Sequence, residues 1–327
     1  MKRVGLVGFF GWGNFGDELF VEVYRQHLGD AFSLAIPHDL LKKPYFSRPI
    51  ADVVRDYDAF LIGGGDLIIP WNLSGLYWRE EYLSKPVYVV GVGVPTWGGY
   101  DKKTILAMRS FLQHDNVQMV CARDPESQKW IAKHLQPRCE VIWAPDLVCA
   151  MALAPATTAV PPRLGVVTRH RRGGADDYSQ LRRLCEKAAA EGYVIRHIVL
   201  ANGATGEKDR ETAAEFEFEG KETVYTESLD EMCVSIGECT AITSMKFHGT
   251  VVATMYGVPS IVLSPTDKSR NFMRMIERTD LLSNLKDQHL ADHFATDLPP
   301  IAESTRASLR AQATAMLRDL KSRLAAV

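Results

Sequence analysis

A lysine and a histidine stand two residues apart in the run Thr243-Ser-Met-Lys-Phe-His-Gly249. In an extended segment Lys246 and His248 share a face. A helix opening at Gly249 then brings free backbone N–H groups to the same point, which makes an anion site with a titratable group attached. Pro265-Thr-Asp-Lys-Ser-Arg270 reads as a loop whose Lys268 and Arg270 extend cationic reach toward that end of the chain's second half. Arg123, in Cys121-Ala-Arg-Asp-Pro-Glu-Ser127, follows an apolar run. A charge placed there is either paired, with Asp124 as the local partner, or faces a cleft, because a lone buried charge is costly. Asp124-Pro-Glu126 opens a helix with proline near its first position.

Three glycine-rich segments accompany these cations. Gly8-Phe-Phe-Gly-Trp-Gly-Asn-Phe-Gly-Asp-Glu18 follows a short apolar run and precedes a helical one. Glycines there permit a tight turn and close approach to an anion. The spacing is not that of a dinucleotide fingerprint. The plainer reading has Asn14 or Asp17 simply capping the helix. Leu61-Ile-Gly-Gly-Gly-Asp66 runs an apolar segment into Gly63, Gly64 and Gly65, with Asp66 as a cap or a cleft residue. Val90-Gly-Val-Gly-Val-Pro95 reads best as a tight turn.

The elements that must position these residues are short apolar runs alternating with helical stretches. Strands are expected at 4–7, 59–62, 87–90, 119–122 and 141–143, with helices over 17–28 and 102–114 between them. The Ala/Pro/Thr-rich stretch 151–162 reads as a linker. Beyond it, strands at 164–167, 194–200, 241–243 and 260–263 alternate with helices over 178–191, 229–238 and 251–256. A last helix over 304–326 puts Leu309, Ala313, Met316, Leu317 and Leu320 on one face. This cadence predicts parallel sheets covered on both faces. The chain divides into a Rossmann-like domain at 1–155, a second at 163–303, and a C-terminal helix at 304–327. Ligands of such sheets bind outside the carboxyl ends of strands, where the motifs fall.

A length of 327 residues suits two domains of about 150 residues. The formal net charge of −2 gives no global basic field for nucleic acid, although Arg169-His-Arg-Arg172 is a local basic run. The start, Met1-Lys-Arg-Val-Gly-Leu-Val-Gly, reads as a first strand rather than a signal peptide. No stretch approaches the ~18 apolar residues of a membrane span. Six cysteines without a CxxC pair read as reduced, mostly buried thiols, and no metal site is expected.

In chain order, these segments resemble the polysaccharide pyruvyl transferase family. The resemblance rests on Gly11 to Glu18 as G-x-x-N-x-G-D-E, on Gly63 to Gly65, and on Ser244 to Gly249 followed by Gly257-Val-Pro259. Ala122-Arg-Asp124 and Ala144-Pro-Asp146 add to it, and it spans roughly residues 4–275. It implies an α/β, GT-B-like fold: two Rossmann-like doubly wound domains facing a cleft, with a long C-terminal helix. It also implies phosphoenolpyruvate as donor, and as acceptor a hydroxyl pair on a polysaccharide or its lipid-linked precursor, in exopolysaccharide biosynthesis. The product is a pyruvate ketal.

On that resemblance His248 and Lys246 belong to the donor site and Arg123 is a second cation; the donor's chemistry calls in addition for a general acid/base, for which His248 is the candidate. Gly249, Lys268 and Arg270 join them. Asn14, Gly63, Gly64 and Gly65 bind substrate from the first domain, and Asp17 is the base toward the sugar hydroxyls. The family position of Lys246 commonly reads Arg, so the bidentate fork for carboxylate or phosphate is lost here. The chemistry needs no cofactor beyond the donor substrate. The setting expected is cytoplasmic, with peripheral contact at the inner membrane face and self-association left open. Trp71, Trp78 and Trp97 are candidates for stacking on sugar rings, or for the core. Two other readings stand: a GT-B glycosyltransferase holding a nucleotide diphosphate beside Lys246 and His248, and a non-catalytic sugar-binding partner in polysaccharide assembly. The former is expected to carry a ribose-gripping carboxylate after Pro259, and none is evident.

Overall fold

The computed structural model describes residues 1–171 and 177–326, so Arg172 of the basic run lies outside the described residues. The chain forms two units. One comprises Met1–Trp12, Asp17–Met151 and Leu309–Val327; the other comprises Gly13–Gly16 and Ala152–Ser308.

The first unit is built on β1 (Arg3–Val7), β2 (Ser33–Ala35), β3 (Ala59–Gly65), β4 (Val87–Val92), β5 (Val117–Ala122) and β6 (Val141–Trp143). These pair in the order β2-β1-β3-β4-β5-β6, and every pair is parallel. Every residue of β3 and β4 is buried, which is why both read as unbroken apolar runs rather than alternating ones. The helices between are α1 (Phe15–Leu28), α2 (Ile50–Val54), α3 (Lys102–Leu112) and α4 (Pro125–His134). Capping fixes two of their starts. The Asp101 carboxylate accepts from the Thr104 N–H at 2.7 Å ahead of α3, and Asp124 accepts from the Ser127 N–H at 2.7 Å ahead of α4, where Pro125 takes the first turn.

The second unit carries β7 (Arg163–Val167), β8 (Val194–Ile198), β9 (Glu222–Val224), β10 (Ala241–Ser244) and β11 (Ser260–Val262). Their order is β11-β10-β7-β8-β9, again all parallel. The helices are α5 (Ser179–Ala190), α6 (Gly203–Glu215), α7 (Leu229–Gly237), α8 (Phe247–Tyr256) and α9 (Asp267–Met275). Gly257, at φ +85°, closes α8 in the left-handed conformation that glycine adopts without strain.

Strand order locates where each sheet can hold a ligand. In the first unit the chain lays β2 on one side of β1 and β3 on the other, so the connections leaving β1 and β3 part there. In the second unit the same reversal lies between β7 and β10. Loops that part at the carboxyl ends of parallel strands leave a crevice, and ligands of open α/β sheets occupy it.

The last helix, α10 (Glu303–Ala326), buries Leu309, Ala313, Met316, Leu317, Leu320 and Leu324, a single stripe at helical spacing. Its residues from Leu309 onward group with the first unit. There Lys2 Nζ donates to the Ala325 carbonyl at 2.7 Å, and Lys321 pairs with Asp30 at 2.6 Å. No described helix is long and apolar enough to cross a membrane.

Candidate active site

In the second unit the connections after β7 and β10 enclose a cavity of about 100 Å³. Met245 N–H donates to the Val167 carbonyl at 2.8 Å and Leu263 N–H to the Ser244 carbonyl at 2.8 Å, so the three strand ends β7, β10 and β11 are tied together. The wall consists of Asn14, Phe15, Gly16, Arg169, Ser244, Met245, Lys246, Phe247, His248, Thr250, Val262, Ser264, Thr266, Lys268 and Ser269. Among the described residues, three cations and a histidine are on it, and no Asp or Glu is. Two helices begin there. α8 opens with Phe247 and His248, and α9 opens after Thr266, whose backbone N–H donates to Ser269 Oγ at 2.9 Å in a capping box. The N-terminal ends of both helices add partial positive charge to a wall already cationic.

The histidine run differs from its extended reading. The helix begins at Phe247, two residues before Gly249, so Lys246 is the N-cap and His248 lies in the first turn. Ser244 sets this corner: its Oγ donates to the Lys246 carbonyl at 2.8 Å and accepts from the Lys246 N–H at 3.1 Å. Gly249 is absent from the wall. A Cβ there would lie 2.7 Å from Ser244 Oγ, so the position packs closely against that corner.

His248 is 8% exposed, and its ring stands edge-on to Phe247 with centroids 4.9 Å apart. Gly16 holds the other side. A Cβ on Gly16 would fall 2.5 Å from both Cγ and Cε1 of the imidazole and closer still to Nδ1. The segment Gly13–Gly16 reaches this place by pairing with the chain after β8: Asn14 bridges Ala201, and Asn202 N–H donates to the Gly13 carbonyl at 2.9 Å. Gly13 itself has φ +80°. The N-terminal glycine motif is thus needed for both turning and close approach.

Lys246 and Lys268 are both on the wall but differ in state. The Lys246 side chain is 10% exposed, and its Nζ lies 2.5 Å from Asp209 of α6 and 2.7 Å from the Leu200 carbonyl. Lys268 lies on α9, over the Phe247 ring at 5.6 Å. The segment read as a charged loop therefore runs into the first turn of a helix from Asp267, because the capping box at Thr266, four residues beyond β11, starts α9. Arg270 follows two residues on, about half a turn round the helix, exposed and away from the wall. Arg169, marked in the sequence only as part of a basic run, lines the cavity directly after β7. Nearby, Thr168 Oγ1 and His197 Nε2 lie 2.9 Å apart, and burial pushes the His197 pKa down to about 3.

The remaining sequence candidates belong to the first unit. Arg123, 2% exposed in its side chain, is ion-paired with Asp66, which follows the three glycines, and the neighbouring Asp124 caps α4. Its guanidinium lies against Gly93, where a Cβ would sit 2.4 Å from Nη2. Gly63, Gly64 and Gly65 are the last residues of β3 itself. Gly64 and Gly65 have φ of +82° and +91°, and the Gly63 position abuts the Val90 carbonyl. Asp17 is not in the glycine loop but in the first turn of α1, mostly buried, with its Oδ1 against Gly65. Of the tryptophans, Trp78 is core, packed edge-on to Phe111. Trp71 and Trp97 pair with centroids 4.7 Å apart, and Trp97 is 72% exposed. All six cysteines are free thiols, and no group of three or more His, Cys, Asp or Glu among the described residues could hold a metal ion.

Comparison with solved structures places this architecture. The chain is similar to the S. aureus MnaA–UDP co-structure (TM-score 0.61, 12% identity, covering 100% of this chain and 98% of that one). It is similar to the UDP-GlcNAc 2-epimerase of Methanocaldococcus jannaschii (0.61, 10%, 98% and 100%). It also resembles sucrose-phosphate synthase from Thermosynechococcus elongatus (0.56, 10%, 100% and 100%). At such identities the likeness is one of fold, and the fold is GT-B. A comparison with curated proteins returned no match. The family model for polysaccharide pyruvyl transferase matches residues 14–267, from Asn14 on the cavity wall to the first residue of α9. The chain belongs to the polysaccharide pyruvyl transferase family.

Proposed function

We propose that the protein transfers the pyruvyl group of phosphoenolpyruvate onto two hydroxyls of a saccharide, forming a pyruvate ketal, and that the second unit's cavity is the donor site. The observation that carries this reading is the wall itself: Arg169, Lys246, Lys268 and two helix N-termini around one histidine, with no carboxylate among the described residues that line it. A donor bearing a carboxylate and a phosphate needs such a wall, and a neutral or cationic ligand does not.

In the reaction, the donor's methylene carbon takes a proton and becomes the methyl group. One sugar hydroxyl adds at the adjacent carbon, phosphate leaves, and the second hydroxyl closes the ketal. The two hydroxyl protons balance the one delivered to carbon and the one leaving with phosphate. His248 is the general acid/base for the donor, because histidine is the residue type suited to both giving and taking a proton near neutrality. Arg169 and Lys268 grip the anionic ends, and Asp17 serves as base toward the sugar hydroxyls. The paired rings of Trp71 and exposed Trp97 offer the acceptor a stacking surface.

The test is turnover: phosphate release from phosphoenolpyruvate with a panel of pyranosides, and mass analysis of the saccharide product. A pyruvyl ketal made by the wild type and not by His248→Gln supports the assignment. The solved MnaA relative is a complex with UDP, so nucleotide sugars form the control arm. Release of nucleotide from a UDP-sugar, with no ketal from phosphoenolpyruvate, rejects it.

A further inference from the structure

We infer that Asp209 is the internal counter-ion of this cavity, a positioning residue that neutralises Lys246 until an anion binds. Helix α6 presents Glu207, Lys208, Arg210 and Glu211 to solvent, yet turns Asp209 inward, leaving its side chain 4% exposed. Among the described residues, the carboxylate makes two contacts. Oδ2 lies 2.5 Å from Lys246 Nζ, and Oδ1 accepts from the His170 N–H at 2.7 Å. It thereby joins the lysine after β10 to the loop after β7, the two connections that part at the switch point. Lys246 is on the cavity wall and Asp209 is not.

A buried ammonium must be compensated in the empty protein, and here a fixed carboxylate does so. The same carboxylate repels any anion that Lys246 would attract, since at an effective dielectric of about 20 charges a few ångströms apart still interact strongly. Asp209 therefore weakens anion binding while keeping the empty site folded and Lys246 aimed. A purely structural aspartate has the opposite signature: its loss loosens the site and weakens binding.

This inference rests on the cavity being an anion site, and inorganic phosphate is the probe that separates it from the identity of the donor. Thermal unfolding of full-length wild type, Asp209→Asn and Asp209→Asn/Lys246→Met is titrated with phosphate against chloride at matched ionic strength. Asp209→Asn is expected to melt lower without ligand and to bind phosphate at least about tenfold tighter than wild type, because phosphate replaces the missing carboxylate. The double variant reports the generic salt effect and should lose that gain. If Asp209→Asn does not fold in chloride, phosphate should restore folding where chloride does not. Phosphate affinity in Asp209→Asn that is unchanged or weaker, or a failure of phosphate to rescue folding, overturns the inference. Tighter phosphate binding in the variant, with no phosphoenolpyruvate binding by wild type, retains the counter-ion and rejects the donor assignment.

Discussion

Replacing Gly16 by alanine isolates what positions His248. Gly16 is the second residue of α1, where alanine is the better helix former by up to about 1 kcal/mol. Helix propensity alone therefore predicts a small gain in stability. The cavity predicts otherwise. The new Cβ would lie 2.5 Å from two ring carbons of His248, against ordinary contact at 3.4 Å and beyond, so the imidazole must retreat by about 1 Å or more. Overpacking of this kind costs about 1–3 kcal/mol, so the net change in stability is at most a few degrees in Tm. A 1 Å displacement of a group that must transfer a proton costs about 100-fold in rate. Phosphate release from phosphoenolpyruvate with saturating acceptor, measured beside a thermal melt, should show kcat reduced about 100-fold in a protein that still unfolds cooperatively near the wild-type temperature. Gly16→Ala with kcat within about threefold of wild type would refute the reasoning, because His248 then acts from elsewhere or not at all.

Other consequences follow from the first unit. Asp66→Asn removes the carboxylate from a guanidinium that is almost fully buried, and should destabilise the protein by about 3 kcal/mol in urea titration. A change below about 1 kcal/mol would mean that Arg123 is held by its other contacts. Burial lowers the His38 pKa to about 4, and its Nε2 accepts the Gly8 N–H at 3.4 Å, so the native state needs it neutral. The unfolded residue ionises near 6.5. The resulting stability is complete above that pH and is lost as pH falls toward 4, on the order of 3 kcal/mol in all. His38→Gln keeps an acceptor for Gly8 and should flatten the pH dependence of stability between 6.5 and 4, whereas equal slopes in the two proteins would exclude this role. Trp97→Ala should leave the melting temperature unchanged, given its exposure, and raise the acceptor KM about fivefold. A donor KM that rises instead would move Trp97 out of the acceptor's surface.

What the sequence made legible is what local pattern controls. The buried strands β1, β3, β4, β5 and β7 announce themselves as mostly apolar runs, and Gly257-Val-Pro259 marks the end of α8. The edge strands β2 and β9 do not: Ser33–Ala35 and Glu222–Val224 are short and partly exposed, so no apolar run betrays them. Helix α6 carries charge on most of its surface and has almost no apolar stripe, and α9 hides its Thr266–Ser269 capping box inside a run of Lys and Arg. At the site, His248, Lys246, Asn14 and Lys268 are visible as motif residues that line one cavity. Their partners are not visible, because tertiary packing sets them. Asp66 reaches Arg123 from 57 residues away, and Asp209 reaches Lys246 from a helix with no motif of its own. Gly16 is a motif glycine whose purpose appears only when the His248 ring is found resting on it.

The most direct test of the central claim is the affinity of the wild-type protein and His248→Gln for phosphoenolpyruvate and for UDP-sugars, read as the rise in melting temperature with ligand concentration. The account predicts saturable stabilisation of the wild type by phosphoenolpyruvate, weakened in Lys268→Ala, with turnover but not folding lost in His248→Gln. Stabilisation by a UDP-sugar and none by phosphoenolpyruvate would contradict it.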